Sequence, residues 1–151
     1  MEAAQSMSPP LSLDQRRMIE AECRNLVGSY GFLVDHRRYD EQAALFADDG
    51  VYENPFTRAE GRAAIRAYLD TRPAGTATRH VCGQTFFDEI SADEVVAITY
   101  VTVYGAPGTD EGPNDMPVGG SVCEFHNRFR RVGGEWKIAC HNSRGAMVLK
   151  G

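Results

Sequence analysis

Three side chains that can carry charge stand out because they interrupt mostly apolar patterns. Asp35 lies near the junction of two predicted helices, His80 lies on a predicted strand, and Arg144 lies near the end of the last predicted strand. Histidine titrates near neutral pH, so it can move protons. A buried arginine needs an anionic partner, because an unpaired buried charge is very costly. These residue types predict a polar site in which a histidine transfers a proton and Asp35 balances a positive charge.

The elements that would position these residues begin with helices. Ser12 and Gln15 have the spacing of a capping box, which predicts that the first helix begins there. One apolar stripe then recurs at helical spacing, formed by Ile19, Cys23, Leu26, Val27, Tyr30, Leu33 and Val34. Asp40 is predicted to cap a short second helix that runs through Phe46, and residues 61–72 form a predicted third helix.

From about residue 76 the apolar pattern alternates, as it does in strands. After a short strand at 51–54, four long strands are predicted at 76–90, 94–105, 119–132 and 135–148. The loop 105–120 is rich in Gly and Pro, which is typical of a lid or a disordered flap. Helices followed by an antiparallel meander predict an α+β fold. We expect a curved antiparallel sheet that wraps around the N-terminal helices as a cone, with a pocket inside.

Alternation along the strands predicts which side chains line this pocket. The more apolar face of the last strand is formed by Trp136, Ile138 and Cys140. The same alternation points Asn142 and Arg144 inward, unless a bulge shifts the register. Phe125 and Asn127 share one face of the preceding strand, and His80 lies on the first long strand. The pocket is therefore expected to be apolar, with a histidine, an arginine and an asparagine inside it.

The positions of the acid and the histidines leave two interpretations open. On an ideal helix Asp35 lies about 140° from Tyr30, off the apolar stripe, so it faces the pocket only if the helix ends or tightens there. Otherwise Asp35 is an acid on the surface, and His80 could equally be a satisfied core histidine. Three further histidines have charged or outward neighbours, which predicts structural or solvated roles: His36, His126 and His141.

The composition is that of a soluble globular protein, with 42% hydrophobic and 25% charged residues in a chain of 151. The net charge of -5 disfavours nucleic-acid binding, which normally needs a basic face. No stretch approaches the ~20 apolar residues of a membrane span, and the opening residues lack a secretory signal. We therefore expect a cytoplasmic protein with a flexible tail at 1–12 and a single domain at 13–151. No metal or cofactor motif is present in the sequence, so no cofactor is expected.

A family resemblance rests on three stretches, "YGFLVDHRRYDEQAALFADDGVYENP", "TRHVCGQTFF" and "WKIACHNSRGAMV". Together they resemble the SnoaL-like branch of the nuclear transport factor 2-like superfamily, from about residue 13 to 149. Within it the pattern is most similar to scytalone dehydratase, bile-acid 7α-dehydratase and hexachlorocyclohexane dehydrochlorinase. The resemblance implies a cone-shaped α+β barrel and a lyase that uses an aspartate–histidine pair inside the cone.

The resemblance also implies roles for individual residues. The aspartate of these lyases falls on Asp35 and the histidine on His80. The helix tyrosine of the bile-acid enzyme matches Tyr30, and its arginine near the end of the last strand matches Arg144. That enzyme also has an acid in the second long strand, where this chain offers Tyr100, Thr102 and Tyr104. The residues expected to contact substrate are Tyr52, Tyr100, Phe125, Asn127 and Asn142.

The expected function is that of a cofactor-independent lyase or isomerase acting on a small hydrophobic cyclic molecule. His80 would be the general base, and Asp35 would hold its imidazole in one tautomer. Tyr30 or Tyr52 would donate a hydrogen bond to the leaving group or to a developing oxyanion. Arg144 would bind a carboxylate or enolate oxygen, or neutralise Asp35.

Two other functions remain open at this level. One is a non-catalytic module that binds a small ligand, and the other is a structural small subunit resembling that of aromatic-ring dioxygenases. Sheets curled into such cones usually have their open surface covered by another subunit, so a homodimer or homotrimer is expected.

Overall fold

The computed structural model describes residues 9–116 and 119–148. Within them the chain forms three helices and one six-stranded sheet. The helices are α1 (Leu13–Asp35), α2 (Tyr39–Ala44) and α3 (Arg62–Leu69). The strands are β1 (Phe46–Asn54), β2 (Thr57–Glu60), β3 (Thr76–Ile90), β4 (Glu94–Pro107), β5 (Ser121–Val132) and β6 (Glu135–Met147). Residues 1–8 of the predicted tail lie outside the described residues.

The helix α1 begins at the predicted capping box. Ser12 Oγ accepts a hydrogen bond from the Gln15 backbone N–H at 3.2 Å, and Gln15 Oε1 accepts one from the Ser12 N–H at 2.8 Å. The helix ends at Asp35, and Arg37 then takes a left-handed φ of 54° that leads the chain into α2. Although α1 has 23 residues, no helix in the described part of the chain is both long and apolar enough to cross a membrane.

The strands pair in the order β2-β1-β6-β5-β4-β3. Each neighbouring pair is antiparallel except β1 and β6, which are parallel. The predicted α+β fold with a curved sheet and N-terminal helices is confirmed, and the four long strands end within two residues of their predicted limits. The predicted antiparallel meander is formed by β3 to β6, and β1, which precedes it in the chain, pairs with its last strand in parallel.

The N-terminal half differs from the prediction at two places. The helix α2 ends at Ala44 rather than at Phe46, because Phe46 is the first residue of β1 and its side chain is 0% exposed in the core. The strand β2, which follows a tight turn at Asn54, was not predicted from the sequence. There the Asn54 Oδ1 accepts hydrogen bonds from the backbone N–H groups of Phe56 and Thr57, and β2 pairs back onto β1.

A bulge in β6 decides which of its side chains enter the core. Arg128 of β5 pairs with Cys140 and the next residue, Phe129, pairs with Ile138. Ala139 is therefore an extra residue without a partner across the ladder, which is the pattern of a β-bulge. Because alternation has a period of two, the side chains that follow Ala139, as far as a second register shift after Gly145, point to the face opposite to the predicted one. The buried core lies between α1 and the sheet. It includes Ile19, Cys23 and Val27 of the helix and Val95, Val101, Phe129 and Ile138 of the strands.

Candidate active site

Asp35 and His80 are hydrogen-bonded to each other in the interior of the fold. The distance from His80 Nδ1 to Asp35 Oδ1 is 2.6 Å, and the His80 backbone N–H donates to Asp35 Oδ2 at 2.7 Å. Asp35 is only 5% exposed, so this contact is shielded from water. The interpretation of Asp35 as a surface acid is therefore wrong.

The end of α1 turns Asp35 toward β3. Asp35 is the last helical residue, and the chain closes behind it with hydrogen bonds from His36 N–H to Phe32 O at 3.1 Å and from Arg38 N–H to Leu33 O at 2.9 Å. One turn earlier, Gly31 lets β3 come close to the helix. A Cβ placed on Gly31 would lie 3.2 Å from both His80 Cβ and Cys82 Sγ. The side of α1 beside the apolar stripe is therefore covered by β3, and Asp35 faces that strand.

The hydrogen bonds around Asp35 assign a direction to each proton. Arg72 Nη2 donates to Thr78 Oγ1 at 2.9 Å, and Thr78 Oγ1 lies 2.8 Å from Asp35 Oδ1. Because arginine can only donate, the Thr78 hydroxyl accepts from it and gives its own proton to Asp35. With Asp35 ionised, His80 Nδ1 carries a proton and donates as well. The Nε2 of neutral His80 then holds a free lone pair.

Electrostatics favour the ionised form of Asp35. Burial raises the pKa of the Asp35 carboxyl, but the hydrogen bonds and charge of His80 and the hydrogen bond from Thr78 outweigh this effect and lower the pKa below its ordinary value. The carboxylate therefore keeps its charge at neutral pH and acts as a fixed acceptor for His80.

His80 faces a cavity of about 540 Å³. The cavity is lined by Tyr30, Val34, Tyr52, Arg72, His80, Val103, Gly105, Gly119, Gly120, Ser121, Cys123, Phe125 and Ser143. A volume of this size fits a small cyclic molecule. The lining combines apolar walls with hydroxyl groups, one imidazole and one guanidinium.

Tyr30 and Tyr52 place two hydroxyl groups at the cavity. Burial raises the pKa of both phenols, and it raises the pKa of Tyr30 well above the ordinary value. Both hydroxyl groups therefore stay protonated near neutral pH. Asn54 Nδ2 donates to the Tyr52 hydroxyl at 3.0 Å and to the Tyr68 hydroxyl at 3.1 Å. The hydroxyl of Tyr52 also has the hydroxyls of Tyr30 and Tyr68 as hydrogen-bonding neighbours, so Asn54 and the three phenols form one network beside the cavity.

A second histidine, His141, packs against the rings of both tyrosines. The His141 ring is 1% exposed and stacks on Tyr30 and Tyr52, with centroid distances of 4.3 and 5.6 Å. Its Nδ1 lies 2.8 Å from Asn127 Oδ1, so Nδ1 donates and the ring is neutral. Burial, together with the nearby His80, lowers the pKa of His141 to about 3. Of the two predicted roles for His141, structural or solvated, the structure shows the structural one, although the ring faces inward and not outward as strand alternation predicted. Asn127, expected to contact substrate, holds His141 instead.

The bulge at Ala139 also removes two predicted residues from the cavity. Arg144 is exposed and Asn142 lies outside the cavity lining, while Ser143 between them lines it. The expectation that Arg144 and Asn142 point inward is therefore wrong. Tyr100, a further predicted substrate contact, is 54% exposed on the outer face, because the buried positions of β4 are its odd-numbered ones.

Arg72 is a cavity residue that the sequence did not single out. It was assigned to the end of the predicted third helix, but α3 ends at Leu69 and Arg72 follows it in an irregular segment. Its partner Thr78 lies six residues later, on the far side of the same turn. The sequence did contain one signal for a cavity residue here, because Arg72 is a charged residue just beyond a helix and close in sequence to the strand that carries His80.

The loop 105–120, predicted to be a lid or a disordered flap, contributes residues to the cavity lining. Gly119 and Gly120 are among the lining residues, while residues 117–118 lie outside the described residues. Farther back in the loop, Asn114 binds both backbone groups of Thr109, at 2.9 and 2.6 Å. Whether this segment opens and closes over the cavity remains a prediction.

Comparison with known proteins gives a family and a fold. The SnoaL-like domain family matches residues 15–141. Comparison with curated proteins gave no match. Among solved structures, a protein of unknown function from Mycobacterium tuberculosis is 20% identical, with a TM-score of 0.76 over 95% of this chain and 79% of that one.

Two further structures come from Novosphingobium aromaticivorans. A candidate scytalone dehydratase is 20% identical, with a TM-score of 0.73 over 90% of this chain and 89% of that one. The β subunit of a candidate aromatic-ring-hydroxylating dioxygenase is 15% identical, with a TM-score of 0.72 over 90% of this chain and 94% of that one. These similarities show the shared fold. The family match over most of the chain shows that this protein belongs to the SnoaL-like domain family, within the nuclear transport factor 2-like superfamily.

Proposed function

We propose that the protein is a cofactor-independent lyase or isomerase that removes a carbon-bound proton from a small cyclic molecule, with His80 as the general base. The observation that carries the proposal is the contact between Asp35 and His80 at the cavity wall. It favours the Nδ1–H tautomer and leaves Nε2 free to act as a base toward a molecule in the cavity.

The reaction proceeds in two proton transfers. His80 Nε2 takes a proton from a carbon next to a carbonyl or ring, and the electron pair of the broken C–H bond enters the substrate as an enolate or a new double bond. The positive charge that forms on His80 is stabilised by Asp35, which is 2.6 Å away. Hydrogen bonds from Tyr30 or Tyr52 stabilise the negative charge on the substrate oxygen.

The second transfer distinguishes a lyase from an isomerase. In an elimination the C–O bond to the leaving hydroxyl breaks, and the imidazolium returns its proton to that oxygen as water leaves. In an isomerisation the proton returns to a different carbon. In both cases His80 ends neutral and no external oxidant or reductant is consumed.

Hydrogen exchange in D2O tests the proton abstraction directly. A panel of cyclic ketones, β-hydroxy ketones and ring carboxylates is incubated with the protein, and exchange or loss of water is followed by NMR and mass spectrometry. We expect wild-type protein to catalyse exchange or elimination for a compound that binds. His80→Gln should bind the same compound, measured by thermal shift, but lose at least about 10²-fold in rate.

Two results would contradict the proposed chemistry. Equal exchange rates in His80→Gln and wild-type protein would remove His80 as the base. Compounds that stabilise the protein but never exchange or eliminate would favour a non-catalytic binding module. The surface variant His126→Gln is the control, because His126 lies on the outer side of the sheet, outside the cavity lining, where it bonds Glu124 at 2.8 Å.

A structural subunit is the second candidate, and one specific feature favours it. The outer face of the sheet exposes Val81, Phe86 and Tyr100, which are 56%, 64% and 54% accessible. An apolar surface of this kind suits a partner protein. The dioxygenase β subunit with the same fold is the precedent. If the protein purified alone is stable and active in the exchange assay, this candidate is excluded.

A further inference from the structure

The cavity contains a positive charge that no carboxylate of the described residues contacts directly. Arg72 donates one hydrogen bond, from Nη2 to Thr78 Oγ1, and its buried Nε has no hydrogen-bond partner within the described residues. Asp35 is reached only through Thr78, and its two oxygens already accept three hydrogen bonds from Thr78 and His80. The guanidinium therefore keeps N–H groups available for another acceptor.

The surroundings of Arg72 favour an anion from outside the protein. Among the described residues, the cavity lining contains no aspartate or glutamate. A cleft lined by groups of one sign concentrates ions of the opposite sign. Nη1 and Nη2 each have an N–H group at the outer end of the guanidinium. The distance between these two donors matches the distance between the two oxygens of a carboxylate.

Part of the cavity lining is apolar or aromatic. Phe125 and Val103 contribute apolar surface, and Tyr30 and Tyr52 add aromatic surface with hydroxyl groups. A ligand that matches both this surface and Arg72 combines a ring with an acidic oxygen.

We propose that the molecule bound in this cavity carries an anionic oxygen group, either a carboxylate or an ionised phenol, which pairs with Arg72. The inference rests on the proposed function, since it names the substrate class of the same site. Arg72 thus holds the role that the sequence assigned to Arg144, which lies exposed on the sheet. The ring packs against Phe125, and the anion fixes its orientation relative to His80.

Matched pairs of anionic and neutral probes test this proposal by binding alone. Cyclohexanecarboxylate is compared with cyclohexanecarboxamide, and 4-nitrophenolate with 4-nitroanisole, by calorimetry at pH 8. We expect wild-type protein to prefer at least one anion over its neutral partner by about tenfold or more, as charge-assisted hydrogen bonds to arginine supply. Arg72→Gln should reduce this preference to about twofold or less and leave binding of the neutral probe almost unchanged.

Two further variants separate recognition from support of the fold. Arg72→Lys keeps the charge and should keep part of the preference, whereas Arg144→Gln removes an exposed arginine and should keep all of it. A purely structural Arg72 would act through Thr78 on Asp35 and His80. In that case Arg72→Gln would alter the His80 tautomer in ¹⁵N NMR spectra but leave the anion preference intact, and the proposal would be wrong.

The remaining outcomes also decide the question. Neutral probes that bind wild-type protein as tightly as the anions, or no measurable binding of either anion at millimolar concentration, would overturn the proposal. Failure here is distinct from failure of the proposed chemistry. Anion preference is measured without turnover, and hydrogen exchange by His80 can be observed with neutral ketones that do not need Arg72.

Discussion

Both carboxylate oxygens of Asp35 bind His80, one through the ring and one through the backbone. Oδ1 lies 2.6 Å from Nδ1, and Oδ2 lies 2.7 Å from the backbone nitrogen. A bond to the side chain alone would orient the imidazole without attaching the backbone of β3 to the helix. The backbone bond attaches β3 to the end of α1, so the same acid that orients the imidazole also fixes the strand that carries it.

Asp35→Asn is expected to disturb both functions of the carboxylate. Three donors converge on Asp35, but an asparagine offers one oxygen, and its NH2 group would face a donor. We expect the free energy of unfolding to fall by about 1–3 kcal/mol, because a buried donor loses its acceptor. The His80 tautomer should shift away from Nδ1–H. Denaturant unfolding measures the first effect and ¹⁵N NMR of the imidazole measures the second.

The matched control for this substitution is Asp48→Asn. Asp48 pairs with Arg62 at 2.9 Å, but its side chain is 92% exposed. Exposed ion pairs contribute little, so its loss should change stability by less than about 1 kcal/mol. Equal losses in the two variants would show that the contact between Asp35 and His80 has no special stabilising role.

The sequence predicted the fold well where the signals were local. The capping box at Ser12 and Gln15 and the alternating strands are short-range patterns, and each of them is found in the structure. The contact between Asp35 and His80 was expected from the family resemblance. Helix geometry alone placed Asp35 away from the apolar stripe. Its physical cause is the close approach of β3 at Gly31, a long-range contact that the local pattern does not contain.

The errors in the predicted site have a single main cause in β6. A one-residue bulge at Ala139 has no clear sequence signal, yet it exchanges the faces of the residues from Cys140 to Gly145. This exchange buries His141 and exposes Arg144. Tyr100 is a different case, because the apolar residues Val101 and Val103 beside it already indicated that Tyr100 faces outward.

Gly31 is predicted to be necessary for the short distance between α1 and β3. In Gly31→Ala the new Cβ would lie 3.2 Å from His80 Cβ and Cys82 Sγ, so the strand or the helix must move. Gly28→Ala is the control on the same helix, since a Cβ at Gly28 meets nothing within 4 Å. Gly28→Ala should stabilise the protein by about 0.5–1 kcal/mol through helix propensity. Gly31→Ala should be less stable than Gly28→Ala by at least about 1 kcal/mol.

Thermal and denaturant unfolding of the two glycine variants measures this difference. NMR of His80 adds a local readout, because a displaced strand lengthens the hydrogen bond between Asp35 and Nδ1. Indistinguishable stabilities for the two variants would mean that β3 adjusts freely, and the proposed tight approach would not control the site.

The hydroxyl of Tyr52 is expected to matter for catalysis more than for stability. Tyr52→Phe leaves Asn54 bonded to the Tyr68 hydroxyl, so the free energy of unfolding should change by only about 1 kcal/mol. The rate of the proposed reaction should fall by about 10²-fold or more, because a donor to the developing oxyanion is lost. Tyr68→Phe removes the other partner of Asn54, but Tyr68 does not line the cavity, so the rate should stay near that of wild type.

The comparison of these two tyrosine variants uses one substrate identified in the exchange assay. Equal rates in Tyr52→Phe and wild-type protein would assign the oxyanion contact to Tyr30 or to the cavity serines. A similar fall in both variants would mean that Tyr68 positions Tyr52, either through Asn54 or through the direct contact of the two rings, whose centroids are 4.9 Å apart.

His141 is predicted to make the protein less stable in mild acid. Burial and the neighbouring His80 lower the pKa of His141 from 6.5 to about 3. In the unfolded chain the imidazole takes up a proton as the pH falls below about 6.5, but in the folded protein it stays neutral. The unfolded state therefore gains protons that the folded state does not, and stability falls by about 1 kcal/mol per pH unit between about pH 6 and 4.5.

Comparison with His141→Gln isolates this contribution from that of other groups. The variant loses the stacking on Tyr30 and Tyr52, so it should be less stable at pH 7.5, but its stability should fall less steeply with acid. Asp35 acts on the same acid side of the curve but at lower pH, because its lowered pKa keeps its stabilisation until the pH falls to about 4 and below. Urea unfolding at half-unit pH steps measures both slopes. Parallel curves for the variant and the wild type would show that His141 is protonated in the folded state, contrary to the buried, neutral ring that Asn127 holds.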